Sequence, residues 1–304
     1  MNLVKRFRWR RTFGTAAIVS ASSLLLATVA TASTPGTTST NERTGNPAAD
    51  RSIDEMVRAN DHPMGSQIAK REGSENQISS AEARRIEPKG IGAGGVEAKA
   101  SVPGIDVSGW QKNVDWKKQW NAGYRFAYVK ATEGTGYKSP YHTQQYNGSY
   151  NVGMIRGSYH FALPDRSTGR AQADYFVDRG GAWSGDGKTL PGALDMEYNP
   201  YGADCYGKNQ SQMAAWIRGF HDRYHERTGR WPVIYTSTSW WNMCVGNAQS
   251  FGKTVPLWIA RYNSTVGPLP NGWNFHTIWQ HSADPIDQNR FNGAYDRLQA
   301  LAKG

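Results

Sequence analysis

The sequence predicts an α/β domain built on a parallel sheet, closed or open, in the C-terminal two-thirds of the chain. Three observations carry this. Short apolar runs alternate with stretches of helical period. Of 36 aromatic residues only Phe7, Trp9 and Phe13 precede Trp110, so the material for a core is concentrated beyond that point. Most of the apolar runs also end in a charged or polar residue, as they would in a barrel whose strand ends converge on one mouth.

Taken in order, strands are expected at Gly104–Val107, Phe126–Lys130, Ile155–Phe161, Gly192–Glu197, Val233–Thr236, Leu257–Ala260 and Thr277–Gln280, with a weaker last one near Ile286. The clearest helix runs from about Ser211 to Arg227, because Met213, Trp216, Ile217, Phe220 and Tyr224 fall on one helical stripe. Gly229 stops it and Pro232 follows, the usual order of terminators. Two more helices are expected between Pro140 and Val152 and between Gly169 and Arg179. His221 and His225 have the spacing of a zinc pair, but Asp222 stands where a His-Glu-x-x-His motif needs Glu. Both are expected on the surface, outside the stripe, and no metal or other cofactor is required.

The 304 residues carry a formal charge of +10. Residues 1–32 contribute +5, residues 33–100 contribute −1 and the rest +6. Residues 1–32 read as an export signal: a basic start, an uncharged stretch from Gly14 to Thr28 too short to span a bilayer comfortably, and Ala30-Thr31-Ala32 for cleavage. Arg10-Arg11 with Phe13 resembles a twin-arginine signal, which leaves the general and twin-arginine routes both open. The mature protein is expected to be secreted, free of the membrane once the signal is removed, and not a nucleic-acid binder, since half of its positive charge is lost with that signal. Residues 33–100 contain no Phe, Trp or Tyr and cannot bury enough apolar surface to fold alone. They are expected to be a disordered pro-segment or linker, with a spacer through a cell envelope and a tail that packs on the domain as the other readings; Met64–Lys70 is a candidate short helix. Residues 101–304 form the folded domain. Outside the cell its two cysteines, Cys205 and Cys244, are expected to pair rather than remain two buried thiols, and the absence of Cys-x-x-Cys excludes a zinc ribbon.

The chemistry lies at the strand ends. The first expected strand ends near Asp106, the second runs into Lys130 and Glu133, the fourth carries Asp195 and Glu197, and Asp287 follows Ile286. In Leu194-Asp195-Met196-Glu197 the two acids are i and i+2 on a strand, so they share a face about 6–7 Å apart. Two carboxyls that close on a semi-buried face raise the pKa of one of them. A protonated carboxyl beside an ionised one is what cleavage of a glycosidic bond needs.

These residues carry a family resemblance. Gly104-Ile105-Asp106-Val107-Ser108 with Trp110-Gln111 resembles the opening motif of glycoside hydrolase family 25, the Chalaropsis-type lysozymes. Val129-Lys130-Ala131-Thr132-Glu133-Gly134, Gly157-Ser158-Tyr159-His160-Phe161 and Leu194-Asp195-Met196-Glu197 resemble its next three motifs, in order. Ile234-Tyr235-Thr236, Trp258-Ile259-Ala260, Ile278-Trp279-Gln280 and Ile286-Asp287-Gln288-Asn289 continue the series over about residues 102–304. The likeness is greatest to secreted actinobacterial members, including both cysteines and the Trp240-Trp241 pair.

The resemblance implies a TIM-like barrel of eight strands with fewer helices than a regular (β/α)8 barrel. It also implies hydrolysis of the bond between N-acetylmuramic acid and N-acetylglucosamine in peptidoglycan. Glu197 corresponds to the general acid. Asp195 corresponds to the partner that orients the substrate's acetamido group or stabilises the resulting cation. Asp106 and Asp287 match carboxylates lining the same pocket, and positioning the water is an alternative role for Asp106. Tyr159, Tyr235 and Gln280 are candidate sugar contacts, with support of the site as the other reading of each. Lys130 and Glu133 are expected to form a structural ion pair behind the site. Peptidoglycan is thus the expected partner and a monomer the expected state. A chitinase or endo-N-acetylglucosaminidase, and a catalytically silent cell-wall glycan-binding protein, are the alternatives.

Overall fold

The computed structural model describes residues 47–73 and 100–304. The expected signal peptide lies outside the described residues. From Val102 onward eight strands close into a barrel. They are β1 (Val102–Val107), β2 (Phe126–Glu133), β4 (Ile155–Phe161), β5 (Ala193–Asp195), β6 (Val233–Thr236), β7 (Leu257–Ala260), β8 (Ile278–Ser282) and β9 (Asp287–Phe291). A two-residue strand, β3 (Tyr137–Lys138), forms a hairpin on the end of β2. Parallel pairing runs from β1 through β2 and β4 to β8, and β1–β2 pairing completes that arc.

The closing strand departs from the expected parallel pattern. β9 lies antiparallel between β8 and β1, because the connection from Ser282 to Asp287 is a tight hairpin rather than a helical crossover. The reversal has a direct consequence for the site. An antiparallel strand presents its first residue at the end where its parallel neighbours present their last. Asp287 therefore sits opposite Asp106 in the β1–β9 register.

Six helices accompany these strands: α3 (Trp116–Asn121), α4 (His142–Asn151), α5 (Gly169–Phe176), α6 (Gln210–Thr228), α7 (Thr238–Cys244) and α8 (Tyr295–Lys303). No helix joins β7 to β8, so the barrel has fewer helices than a regular one, as the resemblance implies. α6 is capped by Asn209, whose side chain accepts from Gln212 N–H while the Gln212 side chain accepts from Asn209 N–H. It ends at Gly229, whose left-handed φ of 71° suits glycine. Its stripe packs inward, with Phe220 stacked at 5.4 Å on His160 of β4 and at 6.4 Å on Tyr224. α5 begins at Gly169 against the backbone of α6, where any Cβ would collide with the Trp216 carbonyl.

The stripe is wider than the apolar residues indicate. His221 is fully buried, not on the surface: its Nδ1 bonds the Ile217 carbonyl at 2.9 Å and its ring packs on Phe251. Burial pushes the imidazole pKa down to about 3, so the ring is neutral in the core, with Nδ1 paired to a carbonyl one turn back. His225 stacks on Trp231 at 4.1 Å, and among the described residues no cluster could hold a metal ion.

Residues 47–73 pack on the barrel, as a tail on the domain would. α1 (Pro47–Asn60) and α2 (Ser66–Glu72) are helical, and Val57, Asp61, Met64, Gln67 and Ile68 are buried. The composition argument holds for this stretch in isolation, but the barrel provides the apolar surface that the segment lacks. The described residues belong to one compact unit.

Cys205 and Cys244 are joined, with Cα atoms 5.3 Å apart. Cys205 lies in the loop after β5 and Cys244 ends α7, so the bond braces two loops of one rim. The 39-residue separation gives about 4 kcal/mol of loop-closure stabilisation. The Cys205→Ala/Cys244→Ala variant is expected to melt roughly 10 °C lower, read by circular dichroism. Unchanged melting would show that the bond does not constrain the unfolded chain.

Candidate active site

The sequence-predicted site residues meet at the mouth of the barrel. Asp106 near the end of β1, Asp195 at the end of β5, Glu197 two residues beyond it and Asp287 at the start of β9 are all buried. Tyr159 from β4, Tyr235 from β6 and Gln280 from β8 are buried with them.

A chain of hydrogen bonds orders one side of the mouth. Trp258 Nε1 donates to Asn289 Oδ1 (2.9 Å), and Asn289 Nδ2 donates to Asp106 Oδ2 (2.6 Å). Gln280 Nε2 donates to the same oxygen (2.9 Å). Gln280 Oε1 in turn accepts from the hydroxyls of Tyr235 (2.6 Å) and Tyr262 (2.8 Å). Gln280 thus holds a carboxyl directly, and Tyr235 supports it through Gln280. Asn289, Trp258 and Tyr262 were not singled out from sequence. The signal for Asn289 and Trp258 was their place in the matching motifs; Tyr262 follows β7 just as other site residues follow their strands.

The second cluster contains Lys130 and Glu133 of β2. In a regular strand residues i and i+3 face opposite ways. Here the β2–β4 register shifts between Lys130 and Thr132, a bulge that re-aims the strand end. Lys130 Nζ reaches Glu133 Oε2 at 2.6 Å, so the expected ion pair is present and buried. It has a further member that the sequence did not suggest: Asp61 Oδ1 lies 2.7 Å from Lys130 Nζ.

Asp61 belongs to the segment between α1 and α2, which fills the mouth. Its Oδ2 accepts from Gly109 N–H (2.6 Å), and its carbonyl accepts from Trp110 Nε1 (2.7 Å). His62 donates its N–H to Glu133 Oε2 (3.0 Å) and places Nδ1 2.7 Å from Oε1. Met64 N–H donates to the Tyr159 hydroxyl (3.2 Å). Glu197 receives three backbone donors: Gly65 N–H on Oε1 (2.8 Å), with Gln67 N–H (2.7 Å) and Ile68 N–H (3.0 Å) on Oε2.

The electrostatics follow from burial. Desolvation pushes the Asp106 carboxyl up to about 7, against the pull of Asn289 and Gln280. It pushes Glu197 up to about 7 as well, against its three N–H donors. Asp195 is held well above the carboxylate range by burial and then by the charge of Glu197. Asp287 is raised by burial and by Asp106 and Glu197. Burial also opposes the charge on Glu133, but Lys130 and His62 outweigh it and hold that carboxyl below its ordinary value. A mouth with acids poised near neutrality can hold and deliver a proton.

A closed barrel whose mouth gathers buried carboxyls, two of them two residues apart at one strand end, has the arrangement of a barrel glycosidase. The chain belongs to glycosyl hydrolase family 25, whose family model matches residues 105–289. It is 47% identical over 232 residues to Lysozyme M1 of Streptomyces globisporus, covering 72% of this chain and 79% of the relative. It is 51% identical over 208 residues to an N,O-diacetylmuramidase of Arthroderma benhamiae, covering 67% of this chain and 88% of that one. A solved muramidase from Acremonium alcalophilum superposes with a TM-score of 0.65 at 55% identity. That match covers 67% of this chain and 99% of the muramidase chain.

The buried groups set a pH dependence of stability. The four mouth carboxyls have folded pKa values above their unfolded ones, so their stabilisation is full at low pH and is lost as pH rises through those raised values. His142 and His160 are pushed down to about 4 and His221 and His281 to about 3, all by burial. Below about pH 6.5 these histidines bind protons only when unfolded, so they oppose the carboxyls there and drop out above it. Melting temperature is therefore expected to fall between pH 6.5 and 8.5, and Asp287→Asn to make the fall shallower. A Tm that rises over that interval in a calorimetric scan would refute the assignment.

Proposed function

We propose that the chain is a secreted N-acetylmuramidase acting on peptidoglycan as a monomer, with Glu197 as its general acid and Asp195 as its partner. The observation that carries this reading is the pair of buried carboxyls at i and i+2 of one strand end, in a family whose relatives include a lysozyme and diacetylmuramidases. Burial raises Glu197 enough to keep a proton near neutral pH, as a general acid requires.

In this mechanism Glu197 gives its proton to the glycosidic oxygen while the bond from that oxygen to the anomeric carbon breaks. The acetamido carbonyl oxygen of the same sugar attacks the anomeric carbon, and Asp195 orients the acetamido group. Water then opens the cyclic intermediate, giving its proton to the Glu197 carboxylate, with Asp106 positioning the water and Asp287 completing the pocket. Tyr159 and Tyr235 present aromatic surface and hydroxyls to the sugars. The +6 balance of residues 101–304 favours a polyanionic wall, an attraction that weakens as salt rises.

Digestion of purified peptidoglycan by the Ser101–Gly304 domain, followed by borohydride reduction and mass spectrometry, tests the bond cleaved. Reduced muramic acid is expected at the new ends. Reduced glucosamine would assign the chain to the endo-N-acetylglucosaminidase reaction instead, and no new ends would favour a glycan-binding protein. In the same domain Glu197→Gln is expected to bind wall normally and to cut about a thousandfold more slowly; hydrolysis at the parent rate would remove Glu197 from the mechanism.

A further inference from the structure

We infer that residues 57–72 are an intramolecular inhibitor of the active site, seated where the glycan must lie. The inference rests on the muramidase reading of that site. Three features separate this arrangement from a tail lying on a surface.

First, the segment engages the reacting groups themselves. Gly65, Gln67 and Ile68 direct three N–H groups at the Glu197 carboxyl, at 2.7–3.0 Å, and Met64 N–H reaches Tyr159. Both oxygens of Glu197 are taken as acceptors. Such a carboxyl cannot approach a glycosidic oxygen while those donors are seated on it. The contact blocks access, and its three donors pull against the proton that burial keeps on the carboxyl.

Second, the seat is shaped to this backbone. Gly65 has a left-handed φ of 81°, and its Cα faces the Tyr262 and Tyr235 hydroxyls and Gln280 Oε1 so closely that any Cβ would collide with all three. The Gly65 carbonyl also lies 3.2 Å from the Tyr262 hydroxyl. Only glycine fits there.

Third, the segment is anchored on both sides of the contact by charges that match groups of the barrel. On one side Asp61 enters the buried Lys130–Glu133 pair, 2.7 Å from Lys130 Nζ, while Lys130 also donates to the His62 carbonyl at 2.6 Å. On the other, Glu72 accepts from the hydroxyls of Tyr198 and Ser237, and Arg71 pairs with Asp204 at 2.7 Å. Burial of Val57, Met64 and Ile68 adds an apolar contribution. Because the segment is covalently attached, it returns to the site as an intramolecular ligand. A soluble fragment of wall must compete with that.

The test compares three proteins on peptidoglycan: the intact Ser33–Gly304 chain, the same chain carrying Gly65→Val, and the Ser101–Gly304 domain. Gly65 has no part in the chemistry, so its replacement alters only the seating of the segment. The domain and the Gly65→Val chain are expected to release reducing sugars at least tenfold faster than the intact chain. Equal rates for the intact chain and the domain would overturn the inhibition. Hydrogen exchange supplies a readout independent of hydrolysis: amides of Met64, Gly65, Gln67 and Ile68 are expected to be protected in the intact chain and to exchange freely in Gly65→Val. Fast exchange in the intact chain would overturn the occupancy. A domain that releases nothing while those amides stay protected would overturn the muramidase reading, and inhibition with it, but leave the segment seated.

Discussion

Four carboxyl groups held out of water at one end of the barrel impose the constraint on which the rest of the site depends. An ionised carboxylate in such a place is costly unless it is protonated, paired or supplied with donors. Asp106 illustrates the third solution. It receives two side-chain donors on one oxygen, and each donor is itself fixed, Asn289 by Trp258 and Gln280 by two tyrosines. Asp195 illustrates the first, since burial and a charged neighbour make the neutral form the stable one. Glu133 illustrates the second through Lys130. The wall of the cavity is therefore rigid for the same reason that its acids are useful.

The same constraint explains why a segment poor in apolar residues folds against this surface. Its stabilising contacts are largely polar and lie where the barrel has groups in need of partners. Asp61 adds a second anion to a buried lysine, and three amides satisfy a buried glutamate. Hydrogen bonds to charged groups are worth about 1.5–3 kcal/mol each, more than ordinary ones. Aromatic content, which describes how much apolar surface a chain can bury against itself, is a poor guide when the partner surface comes from elsewhere in the molecule.

Much of the barrel was legible. β4, β6 and β7 fall where the apolar runs place them, because strands buried on both faces are largely apolar along their length. The α6 stripe and its stop at Gly229 were equally plain, although His221 shows that a stripe is defined by position and not by residue type. β5 is shorter than expected, ending at Asp195, so Glu197 projects from the strand's exit and not from its ladder. Less was legible in the way strand ends are aimed. The bulge that brings Lys130 and Glu133 together depends on the neighbouring strand, and the reversal of β9 depends on a hairpin whose length alone does not state its partner.

The sequence by itself determined which residue types could do the chemistry and on which strands they stand, because side-chain alternation and apolar periodicity are local. The pairing of Cys205 with Cys244 was within its reach on the same terms, given only a prior about the compartment. The tertiary structure alone decided that Asp287 faces Asp106, that Gln280, supported by Tyr235, holds a carboxyl, and that Gly65 lies against Glu197 from 132 residues away. Those relations are set by strand register, strand direction and the path of a distant segment. None of these is a property of any short stretch of chain, since each is fixed by the free energy of closing the barrel and filling its mouth.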